Sequence, residues 1–152
     1  LLVTQTFSKS RSLAGARLGF AIGDPALIAD LNTVRNSVNP YNVNRMTQAA
    51  GIAAIRENDY FMGCCQTIRK NRTDTIAQLR SMGFTVLESQ ANFVFARCDA
   101  MPGTALYAAL RRRGVLVRHF DTPALTDWLR ITIGTPEQMQ TFMETLDKIM
   151  EE

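Results

Sequence analysis

The sequence predicts an α/β protein, in which two sheet strands and several helices are followed by an α+β unit. Three observations support this fold class. Short apolar runs near the start of the chain are typical of buried strands. From residue 25 onward, apolar residues recur at the three- and four-residue spacing of amphipathic helices. Beyond residue 83, strand-like segments alternate with helical ones. Hydrophobic residues make up 46% of the 152 residues and charged residues 20%, which is typical of a globular protein.

The first half of the chain contains two predicted strands and three predicted helices. A buried strand is predicted at 1–7 and a second at 18–22, where Gly23-Asp24-Pro25 ends it. Pro25 begins the first helix because proline fits the first helical turn, and Asn39-Pro40-Tyr41-Asn42 breaks that helix. The other two helices are predicted at 43–57 and 60–82.

The second half is predicted to contain both strands and helices. Its predicted strands are 84–88, 92–97, 115–118 and 128–133, and its predicted helices are 103–113 and 136–150. In the last helix Thr135 is the cap and Gln138 completes a capping box. Residues 1–58 supply only two strands, so we predict that residues 84–152 fold more robustly alone than residues 1–58.

Composition and charge narrow the functional class. The net charge of +3 comes from fourteen arginines and three lysines, and the arginines are scattered with no interleaved stacking aromatics. We therefore expect no nucleic-acid partner. No apolar run approaches the roughly 20 residues of a membrane span, so we expect no membrane partner. Three cysteines without metal-ligand spacing predict buried, reduced thiols in the cytoplasm and no bound metal.

The most informative motif is a lysine in a turn of small and hydroxyl residues. The segment Thr6-Phe7-Ser8-Lys9 is followed eight positions later by Arg17, which lies between glycines. A lone amine can bond covalently to a carbonyl cofactor, and an arginine with nearby hydroxyls can bind its phosphate. Glycines allow the backbone to approach the ligand closely. The alternative is a solvated lysine beside a loop. We expect Arg11, within the turn, to be solvated.

These residues carry a family resemblance. The segments Thr6–Ser10 and Leu13–Phe20 resemble the cofactor-lysine region of fold-type I pyridoxal-phosphate-dependent aminotransferases. Further segments are similar to the histidinol-phosphate aminotransferases of histidine biosynthesis, namely 40–44, 91–93, 114–120, 129–135 and 136–139. The resemblance covers essentially the whole chain, and the similar segments follow one another in the same order as in the family.

The resemblance implies pyridoxal 5'-phosphate as cofactor and a role for each residue of the turn. Lys9 would bond covalently to the cofactor and later shuttle a proton. Arg17 would bind the cofactor phosphate, together with the hydroxyls of Ser8, Thr6 and Ser10. For the hydroxyls, a purely structural role is an equally good interpretation.

Two further arginines are predicted to bind substrate. In the strand 128–133 the alternation places Arg130 on the face opposite Leu129 and Ile131. A buried arginine needs an anionic partner, and a substrate carboxylate held by the guanidinium would supply one. The resemblance implies the same and adds Arg118 as a second substrate-anion arginine. Arginines exposed on an edge strand are the alternative.

The resemblance also implies a role for Asn42 and a domain organisation. Asn42 would lie in a loop lining the substrate pocket, although Pro40-Tyr41-Asn42 is equally compatible with a simple turn. Residues 1–70 would be the carboxy-terminal part of the cofactor-binding large domain, including the start of a linker helix. Residues 71–152 would be the small α+β domain.

We therefore expect this chain to be the carboxy-terminal portion of a homodimeric aminotransferase. The enzyme would act on L-histidinol phosphate, with 2-oxoglutarate as the acceptor of the amino group. The cofactor contacts of the family's front half cannot be mapped onto this chain, so we expect the isolated chain to be inactive. Two other activities on the same scaffold stay open: an aromatic amino-acid aminotransferase and a threonine-phosphate decarboxylase. A different class stays open too, namely an inert folded fragment or oligomerisation piece.

Overall fold

The predicted strands and helices form in the expected order, and the computed structural model describes all 152 residues. The strands are β1 (Leu2–Thr6), β2 (Gly19–Gly23), β3 (Phe84–Val86), β4 (Phe93–Cys98), β5 (Arg118–His119) and β6 (Trp128–Thr132). The helices are α1 (Pro25–Val38), α2 (Arg45–Arg56), α3 (Asn58–Ser81), α4 (Gly103–Arg112) and α5 (Pro136–Met150), with a 3-10 turn at Ala14–Ala16. None of the helices is long and apolar enough to cross a membrane.

The chain divides into two compact units, Leu1–Cys65 and Gln66–Glu152. The boundary between these units lies inside α3, the same helix that contains the predicted division at residue 70. The assignment of residues 1–70 and 71–152 to a large-domain portion and a small domain stays a prediction.

The first unit is a two-stranded antiparallel sheet with helices. β1 pairs with β2 from Leu2 opposite Gly23 to Thr6 opposite Gly19. The prediction of a buried first strand is wrong, because all five residues of β1 are exposed. The sheet has only two strands, and too little of this unit packs against it to cover them. Phe7 is the only buried hydrophobic residue in the unit.

The first two helices are capped by side chains next to their first residues. Asp24 accepts a hydrogen bond from the Ala26 amide at 2.9 Å, with Pro25 in the first turn of α1. Asn44 accepts one from the Thr47 amide at 2.9 Å at the start of α2. Each cap satisfies an amide that has no partner inside its helix.

The second unit contains the main hydrophobic core. Its sheet has the strand order β3-β4-β6-β5, with every neighbouring pair antiparallel. One face of the sheet packs with α4 and α5, and the fully buried hydrophobic side chains there are Leu79, Val94, Leu106, Leu110, Leu129 and Leu146. The predicted capping box of α5 is confirmed, since Thr135 and Gln138 exchange hydrogen bonds of 2.9 and 3.3 Å.

The predicted strand at 115–118 is wrong over most of its length. β5 spans only Arg118–His119, so Arg118 begins the strand and does not end it. The reason is the end of α4, where Gly114 has a φ of 79° and the Val115 amide donates to the Leu110 carbonyl at 3.0 Å. An amide that closes a helix end is not available to pair with β6.

The prediction of buried thiols is confirmed for Cys98 and wrong for Cys64, which is exposed. Cys65 is half-buried. All three are free thiols. Cys64 and Cys65 lie in α3, where adjacent positions point to different sides of the helix.

Candidate active site

Phe7 anchors the turn that carries the lysine. Its side chain is 4% exposed and meets the ring of Phe20 edge-on at 5.8 Å. Its amide donates to the Leu18 carbonyl at 3.0 Å, and its carbonyl accepts from the amides of Arg11 and Leu13 at 3.3 and 3.1 Å. One buried residue therefore joins the end of β1 to both sides of the turn.

Lys9 projects from this turn. Its carbonyl accepts a hydrogen bond from the Ser12 amide at 3.2 Å, while its side chain is exposed and makes no hydrogen bond or ion pair. Lys70, in contrast, pairs with Asp74 at 2.7 Å. The Lys9 amine is thus free to react with a carbonyl compound.

Strained backbone is concentrated in the same segment. Ser12 and Arg17, with φ of 56° and 54°, are the only non-glycine residues of the chain with positive φ. Such a conformation costs about 1–3 kcal/mol and tends to occur at functional sites. The Arg17 guanidinium donates one bond, from Nη1 to the Ala14 carbonyl at 3.2 Å. Its other donors remain available for an anion.

The hydroxyls of the turn make weak local bonds. The Thr6 Oγ1 accepts from the Ser8 amide at 3.3 Å, and the Ser10 Oγ donates to the Thr6 carbonyl at 3.4 Å. Thr6 and Ser10 also line a pocket of about 300 Å³ with Phe7, Arg11 and other residues of the first unit. These bonds suit the structural interpretation, and the phosphate-binding role of Ser8 and Thr6 stays a prediction.

The expectation that Arg11 is solvated is wrong. The side chain is half-buried, donates from Nη1 to the Ala54 carbonyl at 2.6 Å, and reaches the Asn58 Oδ1 at 3.4 Å. Its guanidinium carbon also lies 3.7 Å from the centroid of the Phe61 ring. The sequence carried no signal for these contacts, because Ala54 and Asn58 are 43 and 47 positions away.

The turn as a whole fits a phosphorylated aldehyde cofactor. It presents an unpaired amine at Lys9 and an arginine, Arg17, with most of its donors unused. The strained backbone at Ser12 and Arg17 has no role in the packing of a core, since neither residue is buried.

The second unit presents a separate arginine pair. Arg118 on β5 lies directly opposite Arg130 on β6, so both side chains stand on the same face of the sheet. Leu129 and Ile131 lie buried on the opposite face, as the alternation predicts. β6 is an inner strand between β4 and β5, so the alternative of an edge-strand arginine is wrong for Arg130.

Aromatic rings surround this pair. The Arg130 guanidinium lies 5.4 Å from the ring centroid of Phe93 and 5.9 Å from that of Phe120, and Arg118 lies 5.2 Å from Phe120. Neither arginine makes a hydrogen bond or ion pair within the chain. Ring faces attract cations more weakly than a carboxylate or phosphate does. The face therefore offers two cations to an anionic ligand, and the substrate role of both arginines stays a prediction.

Asn42 lies in the irregular segment between α1 and α2. It is exposed, and its side chain makes no hydrogen bond within the chain. Its predicted place in the substrate pocket therefore stays a prediction.

Comparisons with known proteins give the family of the chain. The sequence model of the family "Aminotransferase class I and II" matches residues 1–146. A histidinol-phosphate aminotransferase of Chromohalobacter salexigens is 49% identical over 149 residues, which are 98% of this chain and 42% of that protein. The chain thus spans less than half the length of the curated relatives that it matches.

Solved structures share the fold. A putative histidinol-phosphate aminotransferase of Erwinia carotovora atroseptica is 27% identical with a TM-score of 0.84, over 99% of this chain and 42% of that one. The histidinol-phosphate aminotransferase of Sinorhizobium meliloti, solved in complex with pyridoxal-5'-phosphate, is 25% identical with a TM-score of 0.83, over 99% and 41%. With the family match across nearly its whole length, the chain belongs to the class I and II aminotransferases.

Proposed function

We propose that the chain is part of a pyridoxal-5'-phosphate-dependent aminotransferase that transfers the amino group of L-histidinol phosphate to 2-oxoglutarate in histidine biosynthesis. The observation that carries the proposal is the turn in which the unpaired Lys9 amine and the strained Arg17 lie within eight positions. Relatives named histidinol-phosphate aminotransferase, 42–49% identical to the chain, support this substrate over the aromatic and threonine-phosphate alternatives.

In this proposal Lys9 binds the cofactor covalently, and Arg17, Ser8 and Thr6 bind its phosphate. Pyridoxal phosphate supplies, when bound, an electron-withdrawing ring that favours loss of a proton from the substrate. The Lys9 Nζ holds that proton after it leaves the substrate and returns it. Arg17 neutralises phosphate charge with the donors that Ala14 leaves unused.

Arg130 and Arg118 bind the anionic groups of the substrate, and Asn42 lines its pocket. Two adjacent cations on one sheet face suit a ligand with a phosphate, because a phosphate accepts several charge-assisted hydrogen bonds. The Arg130 guanidinium carbon lies 5.4 and 5.9 Å from the ring centroids of Phe93 and Phe120, and such apolar neighbours lower the local polarity in which an anion is attracted.

We also place the protein in the cytoplasm as a homodimer. Three free thiols suit a reducing compartment. Many apolar side chains of the first unit are exposed in the single chain, which supports a partner surface there.

Reduction with borohydride in the presence of pyridoxal phosphate tests the cofactor role. The chain has three lysines, so peptide mass mapping distinguishes Lys9 from Lys70 and Lys148 without ambiguity. We expect label at Lys9 in excess over the other two and none at that position in Lys9→Ala. Equal labelling of all three would instead support the inert-fragment alternative for the isolated chain.

The substrate is tested with the full-length enzyme. Addition of L-histidinol phosphate without an acceptor should remove the absorbance of the cofactor aldehyde form, and phenylalanine should not. An equal response to phenylalanine would favour the aromatic aminotransferase. Release of carbon dioxide from threonine phosphate would favour the decarboxylase.

A further inference from the structure

The side chain of Arg11 closes the end of helix α2. The last carbonyls of a helix have no partner inside it and carry its partial negative charge. The Ala53 carbonyl is satisfied by the Glu57 amide at 3.0 Å, and the next carbonyl, that of Ala54, accepts from the Arg11 Nη1 at 2.6 Å. A cation in this position gains both a charge-assisted bond and the attraction of the helix end.

The same guanidinium reaches the start of helix α3. Its Nη2 donates to the Oδ1 of Asn58, the first residue of α3, at 3.4 Å. Its flat face lies 3.7 Å from the centroid of the Phe61 ring, one turn further on. Three contacts of different kinds therefore hold one side chain against the α2–α3 junction, and we call this set the Arg11 clamp.

The backbone of Arg11 is part of the turn that presents Lys9. Its amide donates to the Phe7 carbonyl at 3.3 Å, and the following amide, that of Ser12, donates to the Lys9 carbonyl at 3.2 Å. These bonds lie at or just beyond the upper end of the usual range of about 2.7–3.2 Å, and Ser12 adopts the strained left-handed conformation. The Phe7 and Leu13 backbone bonds hold the two sides of the turn together, and the Arg11 side chain adds contacts that join the turn to the α2–α3 junction.

We propose that Arg11 is a positioning residue for Lys9, acting through the clamp that ties the lysine turn to the α2–α3 junction. The inference rests on the proposed function in that Lys9 is taken as the cofactor lysine. Arg11 itself touches no reacting atom. Its role is to limit the positions that the Lys9 amine occupies, which determines how fast the amine reaches a bound aldehyde.

The test compares Arg11→Met and Arg11→Lys with a matched control, Arg56→Met. Methionine keeps the apolar stem and loses every donor, whereas lysine keeps the charge and loses the planar fork. Arg56 is an exposed arginine at the end of α2 that makes no hydrogen bond or ion pair, so its variant removes a charge nearby without breaking the clamp.

Two readouts are recorded on the whole chain. The first is the rate of borohydride-trapped pyridoxal phosphate labelling at Lys9 relative to Lys148. The second is hydrogen exchange in the peptide covering 7–13, compared with the β1 and β2 amides. For Arg11→Met we expect the relative Lys9 rate to fall on the order of tenfold and exchange to rise in 7–13 alone. Arg11→Lys should recover part of both, and Arg56→Met should match the unsubstituted chain.

Each other outcome has a defined meaning. If Arg11→Met leaves either the relative Lys9 rate or the exchange of the turn unchanged, the proposal is overturned. If Arg11→Met raises hydrogen exchange in the β1 and β2 amides as well as in 7–13, Arg11 stabilises the unit in general and the proposal is again overturned. If the unsubstituted chain shows no preference for Lys9, the proposed function loses its support, while the exchange comparison still tests the clamp.

Discussion

Arg118 and Arg130 lie directly opposite each other on neighbouring antiparallel strands, and neither forms an ion pair within the chain. Like charges directly opposite each other repel and destabilise a sheet. The arrangement is therefore a cost to the fold that a bound anion would remove. Because Trp128 is the only tryptophan and lies on β6, its fluorescence reports directly on this sheet.

Inorganic phosphate should raise the unfolding midpoint of the chain, measured by Trp128 fluorescence. Sodium chloride at equal ionic strength should raise it less, because screening alone does not bridge the two guanidiniums. In Arg130→Met the repulsion is absent, so the phosphate effect should disappear. Arg97→Met is the control, since Arg97 already pairs with Asp99 at 3.0 Å. A phosphate effect that survives in Arg130→Met would contradict the prediction.

Substitution of Gly103 by alanine should destabilise the second unit by about 1–3 kcal/mol. A methyl group at this position would lie 2.6 Å from the Thr126 carbonyl oxygen and 2.6 Å from the Asp127 carbonyl carbon, which are backbone atoms that cannot rotate away. Urea unfolding followed by Trp128 fluorescence measures the change. Thr104→Ala, at the exposed next position of α4, should change stability little. If Gly103→Ala and Thr104→Ala have the same urea midpoint, the close contact between Gly103 and the Thr126–Asp127 backbone is contradicted.

Glu137 should make the stability of the chain depend on pH. A hydrogen bond from the Thr135 side chain, with a further bond from the backbone, lowers the pKa of the Glu137 carboxyl. A carboxyl whose pKa is lower in the folded state stabilises the fold above its unfolded pKa. That contribution is lost as the pH falls through the folded pKa.

Glu137→Gln should therefore lower the unfolding midpoint at neutral pH. The difference from the unsubstituted chain should shrink as the pH falls through and below the ordinary glutamate range. Thermal unfolding followed by circular dichroism over a series of pH values measures this. Glu144→Gln is the control, as an exposed carboxylate in the middle of the same helix. If the difference in midpoint between Glu137→Gln and the unsubstituted chain grows as the pH falls, the prediction is contradicted.

Hydrogen exchange should be faster in residues 1–58 than in residues 84–152. All the buried hydrophobic residues except Phe7 lie in the second unit, whereas all the exposed large hydrophobic residues except Leu87 and Leu116 lie in the first. Elements that bury little apolar surface open at low free-energy cost. Peptide-resolved exchange at neutral pH measures this, and equal protection in the two segments would contradict it.

Much of the fold could be predicted because its signals are local. Helix α5 was predicted at its observed bounds, since Thr135, Pro136 and Gln138 determine its start within four positions. The lysine turn could be recognised for a similar reason, because Lys9 and Arg17 are close in sequence. Contacts of long sequence separation could not be predicted, and Arg11 is the clearest case, with partners 43 and 47 positions away.

The order of strands and helices, the cap of α5, and the presence of an amine and an arginine in one turn follow from the amino-acid sequence alone. Which arginines have partners depends on the folded chain. Arg118 lies opposite Arg130 across two strands, and Arg11, which the sequence predicts to be solvated, contacts the α2–α3 junction. The folded chain also shortens β5, because the Val115 amide closes helix α4. The physical reason is the same in each case: a hydrogen-bonding group joins whichever partner the folded chain brings within reach, and sequence spacing does not encode that distance.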